Sequence, residues 1–200
     1  MPIANMGRVV LASRSPRRLD LLREMGIEPL VVAADIDETP QDGETPIEYV
    51  ERLATAKAAV VANLESVADL SSVVIAADTT VDLDGEIFGQ PVDIYEARQM
   101  LERLSGRGHR VHTGVCVLQP TTGISITEVA TSEVLFEVLS DELLDWYLGT
   151  GEWQGKAGSY AVQGLGRALV AKVTGSQSNV IGLPVELTKR LLAIVNQGQK

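Results

Sequence analysis

The chain has 200 residues, 45% of them hydrophobic, and its 17 Lys and Arg against 27 Asp and Glu give a formal net charge of −10. This charge repels a polyanion at long range, so nucleic acid is not expected as a partner. The length suits one large domain or two closely packed lobes. No apolar stretch is long enough to span a membrane and Met1 to Arg8 lacks the pattern of a secretion signal, so we expect a cytoplasmic protein.

The N-terminal part predicts a strand that leads directly into a helix. An apolar run over Val9 to Ala12 is typical of a buried strand. Ser15 is then expected as the N-cap and Pro16 as the first helical residue, where its missing N–H has no consequence. Gly26 ends the helix in the position that favours a left-handed conformation.

Hydroxyl and guanidinium groups surround this predicted helix start. Ser13, Ser15, Arg17 and Arg18 add donors to the free backbone N–H groups of the first turn, and such a set suits a phosphate group. An ordinary capped helix with solvated arginines explains the same residues, so at this point both interpretations stay open.

An acidic loop follows the next predicted strand, which covers Glu28 to Val32. The loop contains Asp35, Asp37 and Glu38 and is interrupted by Pro40. Glu38 offers a hard oxygen ligand to a metal ion, although a solvated acidic loop is the commoner meaning of such a segment.

A capping box at Thr45 to Glu48 opens a helix that is expected to run to about Asn63. Lys57 is expected off its apolar face, where its stem can extend to solvent or its ammonium can meet a phosphate. The apolar face is predicted to consist of Val50, Leu53, Ala54, Val60 and Val61.

A compact apolar strand over Val73 to Ala77 is predicted to end at Asp78, and a hairpin from Thr80 to Ile87 is expected around Asp84-Gly85. Ligands of open α/β sheets bind outside the carboxyl ends of strands, so Asp78 is a candidate general base or metal ligand. The alternative is that Asp78 caps the following turn.

The rest of the chain alternates helices and strands and predicts an α/β class with a mixed, partly antiparallel sheet. Cys116 is expected to be a buried strand residue, whereas His109 and His112 are expected at a polar strand edge. The further predicted elements are a helix over Ile94 to Leu104, an antiparallel ribbon of His109 to Leu118 with Ile124 to Leu139, a helix after Ser140, a strand over Ala168 to Val173, and a helix over Pro184 to Val195.

Basic and acidic residues are unevenly distributed along the chain. Between Lys57 and Arg98 there is no Lys or Arg, and this interval holds several carboxylates, including Asp78. Donors in one part of the chain and carboxylates in another are what a metal-bound phosphate substrate requires, provided that both parts meet in one cleft.

Eight segments, in order across residues 8 to 192, carry a resemblance to a known family. They read LASRSPRRLDLL, DETP, RLATAKA, AADTTV, GQP, LSGRGHRVHTGV, KAGSYAVQGLG and GSQSNVIGLP. This pattern resembles the Maf family of nucleotide pyrophosphatases. The resemblance implies one domain over residues 1–200, with an elongated mixed β-sheet flanked by helices and two lobes around a cleft, similar to inosine triphosphate pyrophosphatases. It also implies a divalent cation, Mg²⁺ or Mn²⁺, and a homodimer.

The resemblance further implies hydrolysis of a nucleoside triphosphate between its α and β phosphates. The family's catalytic aspartate falls on Asp78, which with Glu38 is then expected to hold the metal. Its phosphate-contacting serine and arginine fall on Ser13 and Arg18, and its helix lysine falls on Lys57.

Three positions match the subgroup that acts on dTTP and UTP rather than on 7-methylguanosine triphosphate: Arg17, Thr79 and Gln163. A glutamine amide can pair with the Watson–Crick edge of uracil or thymine, so Gln163 is expected to read the base. A purely structural role in the neighbouring glycine loop is the alternative.

Two positions depart from the family pattern: Gln90 replaces a usual Lys, and Gln177 replaces a usual aromatic residue. Losing a cation beside a triphosphate removes a contact of about 1.5–3 kcal/mol. We expect either low activity or compensation by Lys156 or Arg167, and Lys156 is therefore a candidate substrate-binding residue.

Two other functions remain open. A non-catalytic nucleotide-binding regulator of cell division is favoured by Gln90 and by the family's inhibition of septum formation. A general house-cleaning pyrophosphatase that acts on deaminated purines is favoured by the fold resemblance. Release of pyrophosphate tests the first of these, and a panel of nucleotides tests the second.

Overall fold

A computed structural model of the chain describes residues 8–68 and 72–197 and contains a seven-stranded mixed sheet with helices packed on both faces. The strands are β1 (Arg8–Leu11), β2 (Leu30–Val31), β3 (Ser72–Leu83), β4 (Glu86–Phe88), β5 (Gly108–Gln119), β6 (Ile124–Phe136) and β7 (Val170–Thr174). The helices are α1 (Pro16–Glu24), α2 (Pro46–Ala62), α3 (Glu65–Ala68), α4 (Ile94–Leu104), α5 (Asp141–Gly149), α6 (Gln177–Ile181) and α7 (Val185–Gln197), with 3-10 turns at Ala157–Ser159 and Gly164–Leu169.

The sheet order is β2-β1-β3-β5-β6-β7. β1 runs parallel to β2 and β3, whereas β5, β6 and β7 pair in an antiparallel manner. β4 pairs with β3 through the Asp84-Gly85 turn, where both residues have positive φ, as the predicted two-residue hairpin requires. The predicted α/β class with a mixed, partly antiparallel sheet is confirmed.

One edge of β3 is interrupted, and this gap positions the site. β5 pairs with the opposite edge continuously from Val74 to Asp82. On the interrupted edge, pairing with β1 reaches Ile75 and pairing with β4 begins at Val81. Asp78 and Thr79 lie between these two segments, beside the end of β1.

Alternation along β3 directs these two side chains to opposite faces of the sheet. Val73 and Ile75 pack in the core that includes α1, α4, α5 and α7. Val74 and Ala76 pack against α2 in a second core. Asp78 consequently shares the face that α2 covers, and Thr79 shares the other.

Gly114 allows α2 to approach the sheet closely beside Asp78. Gly114 is the register partner of Asp78 on β5. A Cβ atom at this position would lie 2.4 Å from the carbonyl oxygen of Val50, so no larger residue fits without moving the helix backbone. Because α2 also carries Lys57, the close approach at Gly114 helps to bring the lysine to Asp78.

We therefore expect Gly114→Ala to lower the free energy of unfolding by about 1–3 kcal/mol through overpacking. The displacement of α2 should also weaken the contact between Lys57 and Asp78. Urea unfolding measures the first effect. Gly108→Ala, at a β5 position with open space around the added Cβ, is the matched control, and equal stability of the two variants would contradict this account.

Several sequence predictions need correction. β3 does not end at Asp78, because β5 pairs with it through that residue and beyond. Val60 is 41% exposed and does not belong to the core face of α2. Lys57 does lie on that face and is 7% exposed, because its ammonium is paired inside the protein. The predicted strand over 28–32 is shortened to Leu30–Val31.

The capping box of α2 and the left-handed Gly26 are confirmed, and Cys116 is a buried strand residue. Ser15 is the N-cap of α1 by position, with Pro16 as the first helical residue. The short helices α3 and α6 were not predicted, since segments of four or five residues have too little periodicity to be recognised.

The prediction of a polar strand edge for the two histidines is wrong, since both are buried in the middle of the sheet. His112 Nε2 lies 3.0 Å from Oδ2 of Asp82. His109 Nε2 lies 2.8 Å from the hydroxyl of Tyr160 and packs edge-on against Phe136. Burial lowers the pKa of His109 to about 4, so the folded protein holds it as a neutral ring.

His109 should make stability depend on pH in a defined window. Its pKa is about 4 when folded and 6.5 in the reference state, so between these values only the unfolded chain takes up the proton. The contribution of His109 to the free energy of unfolding is therefore fully present above pH 6.5. It decreases by about 3 kcal/mol in total as the pH falls toward 4. Urea unfolding across this range should show a weaker pH dependence in His109→Phe than in the wild type. Identical slopes would contradict the assignment.

Within residues 8–68 and 72–197, no helix is both long and apolar enough to cross a membrane. The expectation about a secretion signal concerns Met1 to Arg8, of which residues 1–7 lie outside the described part of the chain.

Candidate active site

A cleft of about 790 Å³ opens at the gap along β3. Its walls come from the loop between β1 and α1, the acidic loop after β2, α2, β4, the loop before the first 3-10 turn, and the end of α6. Of the candidate residues, Ser13, Arg17, Arg18, Glu38, Lys57, Asp78, Thr79 and Lys156 line it. The tertiary structure thus brings donors and carboxylates from five separate segments into one cavity.

Arg18 is held by three oxygen atoms from different elements. Its Nε donates to the carbonyl oxygen of Gly182 at 2.8 Å, Nη1 to Oγ of Ser13 at 3.2 Å, and Nη2 to Oγ1 of Thr79 at 3.0 Å. Burial lowers the pKa of Arg18, and the nearby carboxylates of Asp78 and Glu38 oppose that shift. A guanidinium held in this way presents its two remaining N–H groups in a defined direction.

The start of α1 forms the adjacent wall of the cleft. Ser13 is 7% exposed, and its Oγ accepts a hydrogen bond from the backbone N–H of Ser15 at 3.1 Å. The N–H groups of the first helical turn thus lie beside the Arg18 guanidinium as a set of donors, and their role in binding an anion stays a prediction.

Lys57 lies between two carboxylates on the α2 side of the cleft. Its Nζ is 2.6 Å from Oδ1 of Asp78 and 2.8 Å from Oε1 of Glu38. Asp78 is 6% exposed, and burial raises its pKa, against the opposing effects of Lys57 and Arg18. A carboxylate with a raised pKa, fixed beside two cations, is suited to take a proton from water.

The acidic loop is attached to α2 by two side chains for which the sequence predicted no role in the site. The hydroxyl of Tyr49 donates to the backbone carbonyl of Glu38 at 3.0 Å. Arg52 donates to the backbone carbonyl of Thr39 at 3.2 Å and also pairs with Glu44. The loop has the composition of a solvated segment, but these contacts hold it against α2, where it forms one wall of the cleft.

Arg17 and Lys156 also line the cleft. Burial and then the charge of Arg18 lower the pKa of Arg17. Burial and then the charge of Arg17 lower the pKa of Lys156, whereas Glu152 opposes this shift. Cations that repel one another in a partly buried cavity favour an anionic ligand between them.

Gln163 lies outside the set of described residues that line the cleft and is exposed at the N-terminus of the second 3-10 turn. Glu152 accepts hydrogen bonds from the backbone N–H groups of Leu165 and Gly166 in that turn. The charge of Glu152 also opposes the lowering of the pKa of Arg17 and of Lys156, and the base-reading role of Gln163 stays a prediction.

The structure separates the two candidates for replacing the cation missing at Gln90. Gln90 is exposed and lines the cleft, as does Lys156. Arg167 instead donates to the backbone carbonyl of Val170 and is not among the described lining residues. Lys156 is therefore the better placed of the two.

Asp78 and Glu38 fit a divalent cation that is shared with a substrate. Both direct a carboxylate oxygen to the same point, at present taken by the Lys57 ammonium. Within residues 8–68 and 72–197, no group of three or more His, Cys, Asp or Glu side chains is placed to hold a metal. Mg²⁺ is commonly held by one or two carboxylates and completes its coordination with water and substrate phosphates, so two are sufficient.

Fold and cleft together define a mixed α/β protein whose site is suited to a phosphorylated ligand and a divalent cation. The family model described as "Maf-like protein" matches residues 8–195. The chain is 48% identical over 187 residues to a dTTP/UTP pyrophosphatase of Anaeromyxobacter dehalogenans, covering 92% of each chain. It is 49% identical over 189 residues to one of Myxococcus xanthus, covering 94% of this chain and 93% of that protein. A third, from Sphingopyxis alaskensis, is 46% identical over 191 residues, covering 95% of this chain and 97% of that protein.

This chain belongs to the Maf family. The resemblance inferred from the eight sequence segments is confirmed over nearly the whole chain.

Proposed function

We propose that this protein hydrolyses dTTP, UTP and related or modified pyrimidine nucleoside triphosphates to the monophosphate and pyrophosphate. The observation that carries the proposal is the meeting of Arg18 and Ser13 with Asp78, Lys57 and Glu38 in one cleft. The pyrimidine preference is supported by the names of the relatives, which are dTTP/UTP pyrophosphatases, and by Arg17 and Thr79 in the lining of the cleft.

We assign one group of residues to phosphate binding and Asp78 to proton transfer. Ser13, Arg18 and the α1 N-terminus hold phosphate oxygens by charge-assisted hydrogen bonds. Asp78, which is buried and whose pKa is raised by that burial, orients a water molecule and takes its proton on a carboxylate oxygen. Arg18 and Lys57 then offset the negative charge that develops as the phosphoanhydride bond breaks.

Asp78 and Glu38 would hold the divalent cation, Mg²⁺ or Mn²⁺. When bound, the cation neutralises phosphate charge and polarises the phosphoryl group. Lys57 must leave its position between the two carboxylates when this site fills, and the incoming triphosphate offers the ammonium another anionic partner.

Purified protein incubated with Mg²⁺ or Mn²⁺ and a panel of triphosphates tests the proposal. Pyrophosphate and monophosphate should form, with the largest kcat/KM for dTTP and UTP. Release of inorganic phosphate alone would contradict the reaction, and a preference for deaminated purine triphosphates would support the general house-cleaning alternative. Nucleotide binding without turnover would support the regulatory alternative that Gln90 favours.

Gln163→Leu tests the reading of the base within the same panel. If the amide pairs with the pyrimidine edge, its loss should lower kcat/KM for dTTP and UTP by about 5- to 150-fold. The kcat/KM for other triphosphates should fall by less. An equal decrease for every nucleotide would assign Gln163 a structural role. The homodimer implied by the family resemblance stays a proposal, and light scattering of the purified protein tests it. The cytoplasmic location expected from the sequence stays a proposal as well.

A further inference from the structure

Two threonine hydroxyls form a contact behind the cleft that the proposed reaction does not use. Thr79 on β3 and Thr113 on β5 are register partners, and their Oγ1 atoms lie 2.9 Å apart. Thr79 lines the cleft and accepts from Arg18, whereas Thr113 is fully buried. Thr113 therefore reaches the cleft only through other residues.

Counting hydrogens fixes the direction of these bonds. Each hydroxyl has one hydrogen to donate. Thr113 Oγ1 lies 3.0 Å from the backbone carbonyl oxygen of Asn179, which can only accept, so its hydrogen is used there. Thr79 must then donate to Thr113 and turn a lone pair toward Nη2 of Arg18, at 3.0 Å. The hydrogen bonds thus run in one direction, from Arg18 through Thr79 and Thr113 to Asn179.

This chain of bonds ends on α6, which also holds Arg18 directly. The carbonyl oxygen of Gly182, immediately after α6, accepts from Nε of Arg18 at 2.8 Å. Asn179 is fully buried, and its Nδ2 donates to the carbonyl of Val111 and to Oγ of Ser132, both at 3.0 Å. These bonds anchor α6 to β5 and β6. The Arg18 guanidinium is therefore fixed to the sheet by two contacts, one to Thr79 on β3 and one to Gly182 after α6.

We propose that Thr113 is a positioning residue for the reaction, which fixes the orientation of Arg18 through Thr79. Without the Thr113 oxygen, the hydrogen of the Thr79 hydroxyl loses its acceptor, so the lone pair that accepts from Nη2 of Arg18 is no longer held in one direction. The two N–H groups of Arg18 that remain for substrate then lose their fixed direction. The inference rests on the proposed function, because it assumes that Arg18 binds the phosphates.

Thr113→Val keeps the shape of the side chain and removes the hydroxyl. We expect kcat/KM for dTTP to fall by about 10- to 100-fold, mainly through kcat, since Arg18 offsets charge that develops in the transition state. Thr113→Ser, which restores the hydroxyl, should recover most of this loss. Thr127→Val is the matched control, because it removes one hydroxyl of a Thr55–Thr127 pair outside the cleft lining, and it should leave kcat/KM unchanged.

A double-mutant cycle with Arg18→Ala distinguishes positioning from a general loss of structure. If Thr113 acts through Arg18, Thr113→Val should change kcat/KM by less than about twofold in the Arg18→Ala background. If the two effects multiply, the proposal is overturned. Should Thr113→Val fail to fold in circular dichroism, Thr113→Cys, with its weak donor and acceptor, replaces it, and wild-type kcat/KM in that variant would overturn the proposal.

Binding of inorganic pyrophosphate separates this inference from the proposed function. If the wild type releases no pyrophosphate from any triphosphate, the proposed function fails, and the cycle is then measured as pyrophosphate affinity by calorimetry. Thr113→Val should weaken that binding at least about fivefold in the wild-type background and leave it unchanged in the Arg18→Ala background. Equal weakening in both backgrounds, or none in either, would overturn the positioning role.

Discussion

Asp78→Asn should reduce turnover of dTTP by about 10³-fold while the protein remains folded. The asparagine amide keeps the shape of the side chain but cannot take a proton from water, and it removes one negative charge from the proposed cation site. Folding should persist because Lys57 keeps Glu38 as a partner, at 2.8 Å, and because a buried carboxylate no longer has to be desolvated. Pyrophosphate release and thermal unfolding measure the two effects.

Asp84→Asn is the matched control for this substitution. Asp84 lies on the same hairpin, in the turn between β3 and β4, where asparagine is equally suited to positive φ. The change removes only an exposed ion pair with Arg107, so kcat/KM should stay near the wild-type value. Turnover by a folded Asp78→Asn protein at the level of this control would show that Asp78 is structural.

Lys57→Met should have opposite effects on catalysis and on cation binding. Methionine retains the apolar stem without the ammonium. The positive charge that offsets the negative charge of the transition state is then missing, which should lower kcat by about 10²-fold. It also leaves Asp78 buried without its closest cation, which should lower the free energy of unfolding by about 3–5 kcal/mol. With the competing ammonium absent, Mn²⁺ should bind more tightly in the absence of nucleotide.

Electron paramagnetic resonance of free Mn²⁺ and thermal unfolding with and without the ion test this prediction. Mn²⁺ should raise the Tm of Lys57→Met more than that of the wild type, because only the variant gains a missing partner for the two carboxylates. Lys189→Met, which removes an exposed lysine paired with Glu186, is the control. Weaker Mn²⁺ binding by Lys57→Met than by the control would show that Lys57 does not compete for the site.

Most of the local structure could be predicted from sequence because its signals are short-range. The capping box at Thr45 to Glu48, the turn at Asp84-Gly85 and the left-handed Gly26 each depend on neighbouring residues alone. The end of β3 could not be predicted in the same way. Asp78 and Thr79 interrupt an apolar pattern, yet the strand continues because β5 supplies backbone partners on its other edge.

The burial of the charged Lys57 side chain could not be predicted from local sequence patterns either. Lys57 was expected off the apolar face, since a lone lysine is normally solvated. It is buried because Asp78 and Glu38, which lie 21 and 19 positions away in sequence, neutralise it on one side of the cleft. Thr113 likewise has the sequence signal of an ordinary strand residue, and only the hydrogen bonds to Thr79 and Asn179 relate it to the site.

The sequence by itself determined the family, the α/β class and the set of residue types that a phosphate and a cation require, because these are carried by motifs and by local propensity. Only the tertiary structure decided where the residues meet, at the gap where β1 and β4 share one edge of β3. It also decided which carboxylates pair with Lys57 and which oxygens hold Arg18. The physical reason is that pairing of strands and desolvation of charge depend on neighbours distant in sequence, whose positions no local pattern contains.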